Sequence, residues 1–112
     1  MNTSLMIKET INFLREIQVY PGMYVAQDEP AYYARFTSFI EGYLVALNQF
    51  DAKVFNLANM TRWYGKKYQH KKLNIPLSTY LKNENQEKTD EQLSLLFSDL
   101  LVDYFEEKLI NE

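Results

Sequence analysis

Apolar residues recur at intervals of three and four along four or five stretches of the chain, with polar residues between them, the spacing of amphipathic helices around a shared core. The sharpest stretch begins at Thr89. Leu93, Leu96, Phe97, Leu100, Leu101, Tyr104 and Lys108 fall there on one stripe of a single long helix. Thr89 suits the N-cap, Asp90 and Glu91 favour the positive end of the helix dipole, and Gln92 is placed to complete a capping box. Near the start, Ile7, Ile11, Leu14 and Ile17, widened by Met6 and Phe13, predict a first helix capped by Asn2, Thr3 or Ser4 and running to about Gln18. Pro21-Gly22 then predicts a type II turn, followed by a short extended apolar segment, Met23, Tyr24 and Val25, that the helices must cover.

A second helix is predicted by Tyr32, Phe36, Phe39, Ile40, Tyr43, Leu44 and Leu47, with Asp28 and Glu29 ahead of it, Pro30 at its first position and an end near Phe50. Gly42 inside it costs about 1 kcal/mol relative to alanine, which predicts a closely packed neighbouring backbone. The pattern weakens after Asp51. Phe55, Leu57, Met60, Trp63, Tyr64 and Tyr68 predict a third helix capped by Asn56 or Asn59 and interrupted or ended near Gly65. Pro76 opens a short helix containing Leu77, Tyr80 and Leu81, and Lys82 to Lys88 reads as a loop. No hairpin signal or internal repeat competes with these elements, so the expected fold is all-α, a single compact domain spanning residues 1–112.

Composition narrows this picture. With 46% hydrophobic and 15% aromatic residues in 112, the chain has the material for one ordinary core and is not a disordered tail. The absence of cysteine excludes a disulfide framework and a thiolate metal site. No basic leader with an apolar run and no stretch of ~18 apolar residues is present, so the expectation is a soluble cytoplasmic protein that does not engage a membrane.

Charge is distributed unevenly. Between Asp51 and Glu84 the chain carries seven cations and no carboxylate, whereas from Glu84 onward nine carboxylates face only Lys88 and Lys108. In the last helix the side opposite the core stripe brings up Leu95, Asp99, Val102 and Glu106, with Asp103 and Ile110 at its edge. Apolar residues among carboxylates resemble the centre of a contact surface with a charged rim. The bland alternative is a central helix buried on both sides, with the two charge runs neutralising each other.

The chain offers little for catalysis. His70 is the sole histidine, sits among lysines and reads as a solvated surface residue. Gly22, Gly42 and Gly65 are too widely separated for a phosphate-binding loop. Asp99 and Asp103 share a helix face, but nothing else supplies the oxygen ligands of a divalent cation. Neither an enzyme, a metal site nor a cofactor is expected. The string Arg62 to Lys72 mixes cations with aromatic rings, as single-strand nucleic-acid sites do, yet the pI of about 5.2 and the acidic last helix argue against a phosphate backbone as partner.

Three strings together resemble a family of small bacterial helical proteins that includes immunity proteins of contact-dependent growth inhibition and related polymorphic toxin systems. They are Pro21-Gly22-Met23-Tyr24-Val25, Phe39-Ile40-Glu41-Gly42-Tyr43, and Leu95 to Leu101 with Tyr104-Phe105-Glu106-Glu107, spread over roughly residues 10–108. Tyr20 stands where members of that family usually have arginine, and Ala26 where they have glycine. The resemblance implies a cytoplasmic monomer that forms a heterodimer with a cognate toxin, often a nuclease, and blocks it. A basic nuclease cleft would be met by the acidic helix, with Asp99, Asp103 and Glu106 contributing charge and Leu95 and Val102 the apolar anchor. The alternatives are a non-catalytic adaptor or regulatory subunit using the same face, and a homo-oligomer in which Leu95 and Val102 pack on their own copies. The resemblance also makes Pro21-Gly22-Met23-Tyr24 a marked string, although a turn that locks the first helix against the second explains it without a binding role.

Overall fold

The computed structural model describes residues 2–27 and 30–111, so Asp28 and Glu29, the acidic pair expected ahead of the second helix, lie outside the described residues. Five α-helices follow one another, and no strand occurs among the described residues: α1 (Thr3–Val19), α2 (Tyr32–Leu47), α3 (Leu57–Tyr64), α4 (Leu77–Glu84) and α5 (Asp90–Ile110). The Asn2 side chain caps α1 by accepting from the Leu5 amide at 3.1 Å. Met6, Ile7, Ile11, Leu14 and Ile17 form its buried ridge, and Thr10 enters that ridge by returning its hydroxyl to the Met6 carbonyl at 2.8 Å.

The segment after α1 departs from the expected type II turn and extended strand. Pro21–Met23 is one turn of 3-10 helix, and Gly22 does not adopt positive φ. The amides of Tyr24 and Val25 both donate to the Pro21 carbonyl at 3.0 Å, so helical hydrogen bonding resumes directly behind the proline. Met23 is left 81% exposed while Tyr24 folds back. Its ring stands edge-on to Phe13 of α1 and to Phe39 of α2, each at 5.8 Å, and its hydroxyl donates to Glu16 at 2.7 Å. The turn therefore locks α1 to α2 through Tyr24.

α2 starts two residues later than expected, because Ala31 occupies the left-handed region at φ 59° and breaks the helical path after Pro30. It ends at Leu47, and the side chain of the C-cap residue Asn48 donates to the Phe55 carbonyl at 2.8 Å. Gly42 faces open space, with nothing within 4 Å of a Cβ added there, so the close backbone neighbour expected from its presence does not exist.

Asn56 caps α3. The α-helix is interrupted at Gly65, as expected, and widens there into a π-turn, Gly65–Gln69, closed by His70 at φ 53°. The chain then doubles back across its own start: the Lys71 amide donates to the Gly65 carbonyl at 3.2 Å, and a Cβ on Gly65 would lie 2.6 Å from the Lys71 carbonyl oxygen. This close crossing is the reason a glycine stands at position 65. α4 begins with Pro76 as its N-cap residue, and its buried Leu77 amide is satisfied by Thr61 Oγ1 at 3.0 Å.

α5 is the axis of the molecule. The capping box at Thr89 and Gln92 is formed as expected, and α1, α2, α3 and α4 all pack against the helix. Tyr104 is nearly fully buried and donates to the Val54 carbonyl at 2.8 Å, with its phenol pushed up to about 12 by burial first and Asp51 second. The two helical glycines predict opposite mutational outcomes. Gly42→Ala raises stability by up to about 1 kcal/mol, since it removes only backbone entropy. Gly65→Ala lowers it by more, since Cβ meets a carbonyl oxygen that is part of the backbone. Urea unfolding of the two variants, followed by circular dichroism, checks both signs.

Candidate functional site

The acidic side of α5 is narrower than the helical spacing suggested. Leu95 is 50% exposed, and Asp99, Asp103, Glu106 and Ile110 are exposed with it, but Val102 is only 3% exposed and belongs to the core. Its expected role as a displayed anchor is therefore corrected. α1 runs along that flank of α5: Gln18 Nε2 donates to Ser98 Oγ at 2.8 Å and to Asp99 Oδ1 at 2.7 Å, and one turn further on Arg15 pairs with Glu106 at 3.4 Å. Val102 lies between these two points, underneath α1. The serines at 94 and 98 are what allow the approach. Both are buried, and each turns its hydroxyl onto a carbonyl of its own helix, Asp90 for Ser94 and Ser94 for Ser98.

The opposite edge of the strip is set by the π-turn. Lys67 pairs with Glu107 at 2.9 Å, and Trp63 Nε1 donates to the same oxygen at 3.0 Å. These bonds hold the Glu107 carboxyl below its ordinary range, and Glu107, with a smaller contribution from Asp103, keeps the Lys67 ammonium protonated to higher pH. The strip thus runs between two cation-bearing edges, and the cationic and acidic halves of the sequence meet at this ion pair. Asp99, Asp103, Glu106 and Leu95 are brought onto one surface as expected, with Ile110, 84% exposed, as its second apolar residue in place of Val102.

The cation and aromatic string from Arg62 to Lys72 is used mainly within the fold. Trp63 packs edge-on to Tyr104 at 5.4 Å and to Tyr68 at 5.8 Å, and Tyr64 contacts Tyr68 and Tyr80. Lys67 lies over Trp63, and Lys71 over Tyr80. His70 is exposed. Among the described residues no cluster of three or more metal-ligating side chains occurs, and no helix is long and apolar enough to cross a membrane.

A cavity that the helical periodicity does not announce opens between α2, α3, α4 and α5, on the side of α5 away from the acidic strip. Its volume is about 590 Å³, and Met60, Leu77, Phe97 and Leu101 give it buried apolar walls. Glu41 of α2 points the one carboxylate of its lining into this surface. Ser78 Oγ donates to Glu41 at 3.0 Å, while Tyr33 donates to the Ser78 carbonyl at 2.6 Å and fixes the start of α4 beside it. No lysine or arginine among the described residues pairs with Glu41. Burial raises its carboxyl pKa, opposed in part by the Ser78 bond. Position 41 lies four residues after buried Thr37 and three before buried Leu44, so a carboxylate on the margin of a buried stripe was the available signal in the sequence.

No protein-family model, curated protein or solved structure matches this chain.

The raised pKa of Glu41 has a defined consequence for stability. The folded state binds this proton more tightly than the unfolded chain, so the charged form opposes folding: the effect is absent below the ordinary value of 4.5 and develops fully as pH rises through the folded value. Glu41→Gln, which keeps an acceptor for Ser78, is expected to raise the melting temperature at neutral pH, with the gain shrinking toward zero below pH 4.5. Thermal melts of both proteins across that range provide the measurement.

Proposed function

We propose that the chain is a non-catalytic, antitoxin-like protein that neutralises a basic protein partner through the exposed strip of α5. The observation that carries this reading is the strip itself. Leu95, Asp99, Asp103, Glu106 and Ile110 line one side of a helix whose opposite side, from Leu93 to Phe105, is buried in the core. From Leu95 to Ile110 they span about 22 Å at ~1.5 Å per residue. Three carboxylates in a row between two exposed apolar side chains provide charge to steer a cationic surface and apolar area to hold it.

The mode of inhibition follows from this arrangement. A nuclease cleft is lined by cations that bind phosphates, and a row of carboxylates on a rigid helix can occupy the same cations. Rigidity comes from burial of the rest of α5, so little conformational entropy is lost on docking. The cross-helix contacts at Asp99 and Glu106 are solvent-exposed and worth about 0 to 1 kcal/mol each, so exchanging Gln18 and Arg15 for partner groups costs little. The resemblance of the Pro21 to Val25, Phe39 to Tyr43 and Leu95 to Glu107 strings to immunity proteins supports the same class of partner.

The decisive experiment pairs the chain with the protein encoded immediately upstream of it. Co-expression is expected to rescue cells from that protein, and the purified pair to form a 1:1 complex by gel filtration. Asp99→Lys with Glu106→Lys is expected to slow association by at least ~10-fold at low salt with the helical circular dichroism unchanged. Absence of rescue, or rescue that survives the double reversal with an unchanged on-rate, overturns the assignment to this face.

A further inference from the structure

The cavity between α2, α3, α4 and α5 has no role in the α5 strip, which lies on the other side of that helix. Its chemistry is unusual for a packing defect. Voids left by imperfect packing are small and apolar, whereas this one is of the size that accommodates a small organic ligand. It also holds a carboxylate set against apolar walls. Glu41 is half-buried, and Ser78 is the one group among the described residues that donates to it. A carboxylate partly withdrawn from water and left without a cation retains capacity for a further donor.

The other charges of the lining are Arg62 and Lys72, which are exposed and stand at the rim while Phe97 and Leu101 form the floor. Arg62 is oriented by Asn59, to whose side-chain oxygen it donates. The cavity therefore presents an anion beside an apolar floor and cations at the mouth. A simple apolar amine would satisfy Glu41 but meet the two rim cations unfavourably. An apolar acid would satisfy the rim and leave Glu41 unpaired. A zwitterion with an apolar body answers all three.

We propose that this cavity is a binding site for a small apolar zwitterion, an apolar amino acid or short apolar peptide, with its ammonium group on Glu41, its side chains against Phe97 and Leu101, and its carboxylate toward Arg62 and Lys72. The ammonium supplies the missing charge-assisted hydrogen bond to the carboxylate, and the 590 Å³ volume leaves room for more than one apolar side chain. The site is distinct from the partner-binding strip, and the two readings stand or fall separately.

The test is a titration of the ¹⁵N-labelled full chain, followed by amide chemical shifts, with three dipeptides of the same body. Leucyl-phenylalanine carries both charges, N-acetyl-leucyl-phenylalanine lacks the ammonium, and leucyl-phenylalaninamide lacks the carboxylate. Leucyl-phenylalanine is expected to shift the amides of residues 57–62, 73–75 and 77–79 in a saturable way, and the acetylated peptide to bind about 10-fold more weakly or worse. Glu41→Gln, which retains the fold, is expected to lower affinity for the free dipeptide by the same factor and to leave the acetylated one unaffected. The Arg62→Gln, Lys72→Gln double variant is expected to weaken leucyl-phenylalanine but not its amide. Equal binding of the free and acetylated peptides, an unchanged affinity in Glu41→Gln, or no shift of these amides at millimolar peptide overturns the proposal.

Discussion

Everything in this fold depends on the burial of α5 over about two thirds of its circumference, a far wider arc than the stripe an ordinary surface helix turns inward. All four other helices pack on α5. It provides their common surface on three sides at once: serines at 94 and 98 where α1 presses close, Phe97 and Leu101 toward α4 and the cavity, Tyr104 toward α3 and the loop carrying Val54. The polar atoms carried inward by this arrangement are all satisfied among the described residues, mostly by carbonyls one turn back on the same helix.

That constraint also explains which parts of the structure could be read from the residues. The capping box at Thr89, the caps at Asn2 and Asn56, and the buried ridges of α1 and α2 are local, and local chemistry determines them. The 3-10 turn at Pro21 and the left-handed Ala31 are decided by tertiary demands, the first by the need to return Tyr24 between Phe13 and Phe39. Val102 marks the limit of periodicity. A helix wheel reports the phase of a side chain but not how many neighbours surround the helix, and a second flank covered by α1 moves the boundary of the core past a residue that a two-faced helix would display. The cavity beside Glu41 was illegible for the same reason, because its walls come from four separate elements whose relative placement no single stretch encodes.

Polar chemistry is partitioned around α5. On one side, carboxylates stand in water beside cations they can exchange. On the other, a lone carboxylate stands against apolar walls and is tied to the start of α4 by Ser78, whose carbonyl accepts from Tyr33. The partner proposed for the first side is large and charged, and the ligand proposed for the second is small and shape-matched. Because Phe97 and Leu101 belong to the same rigid helix as Asp99 and Asp103, neither face can shift without carrying the other.

The contact between α1 and α5 joins residues 80 to 91 positions apart, the separations of the Gln18–Ser98 and Arg15–Glu106 pairs. For an all-helical protein this is a non-local architecture, and closing such long loops delays the native contacts until late in folding. During synthesis the ribosome delivers α1 first and α5 last, so the greasy ridge of Ile7, Leu14 and Ile17 travels through the cell without its partner for most of the time the chain is being made. The α1 ridge therefore stays without its α5 cover until the chain has been made at least as far as Ser98.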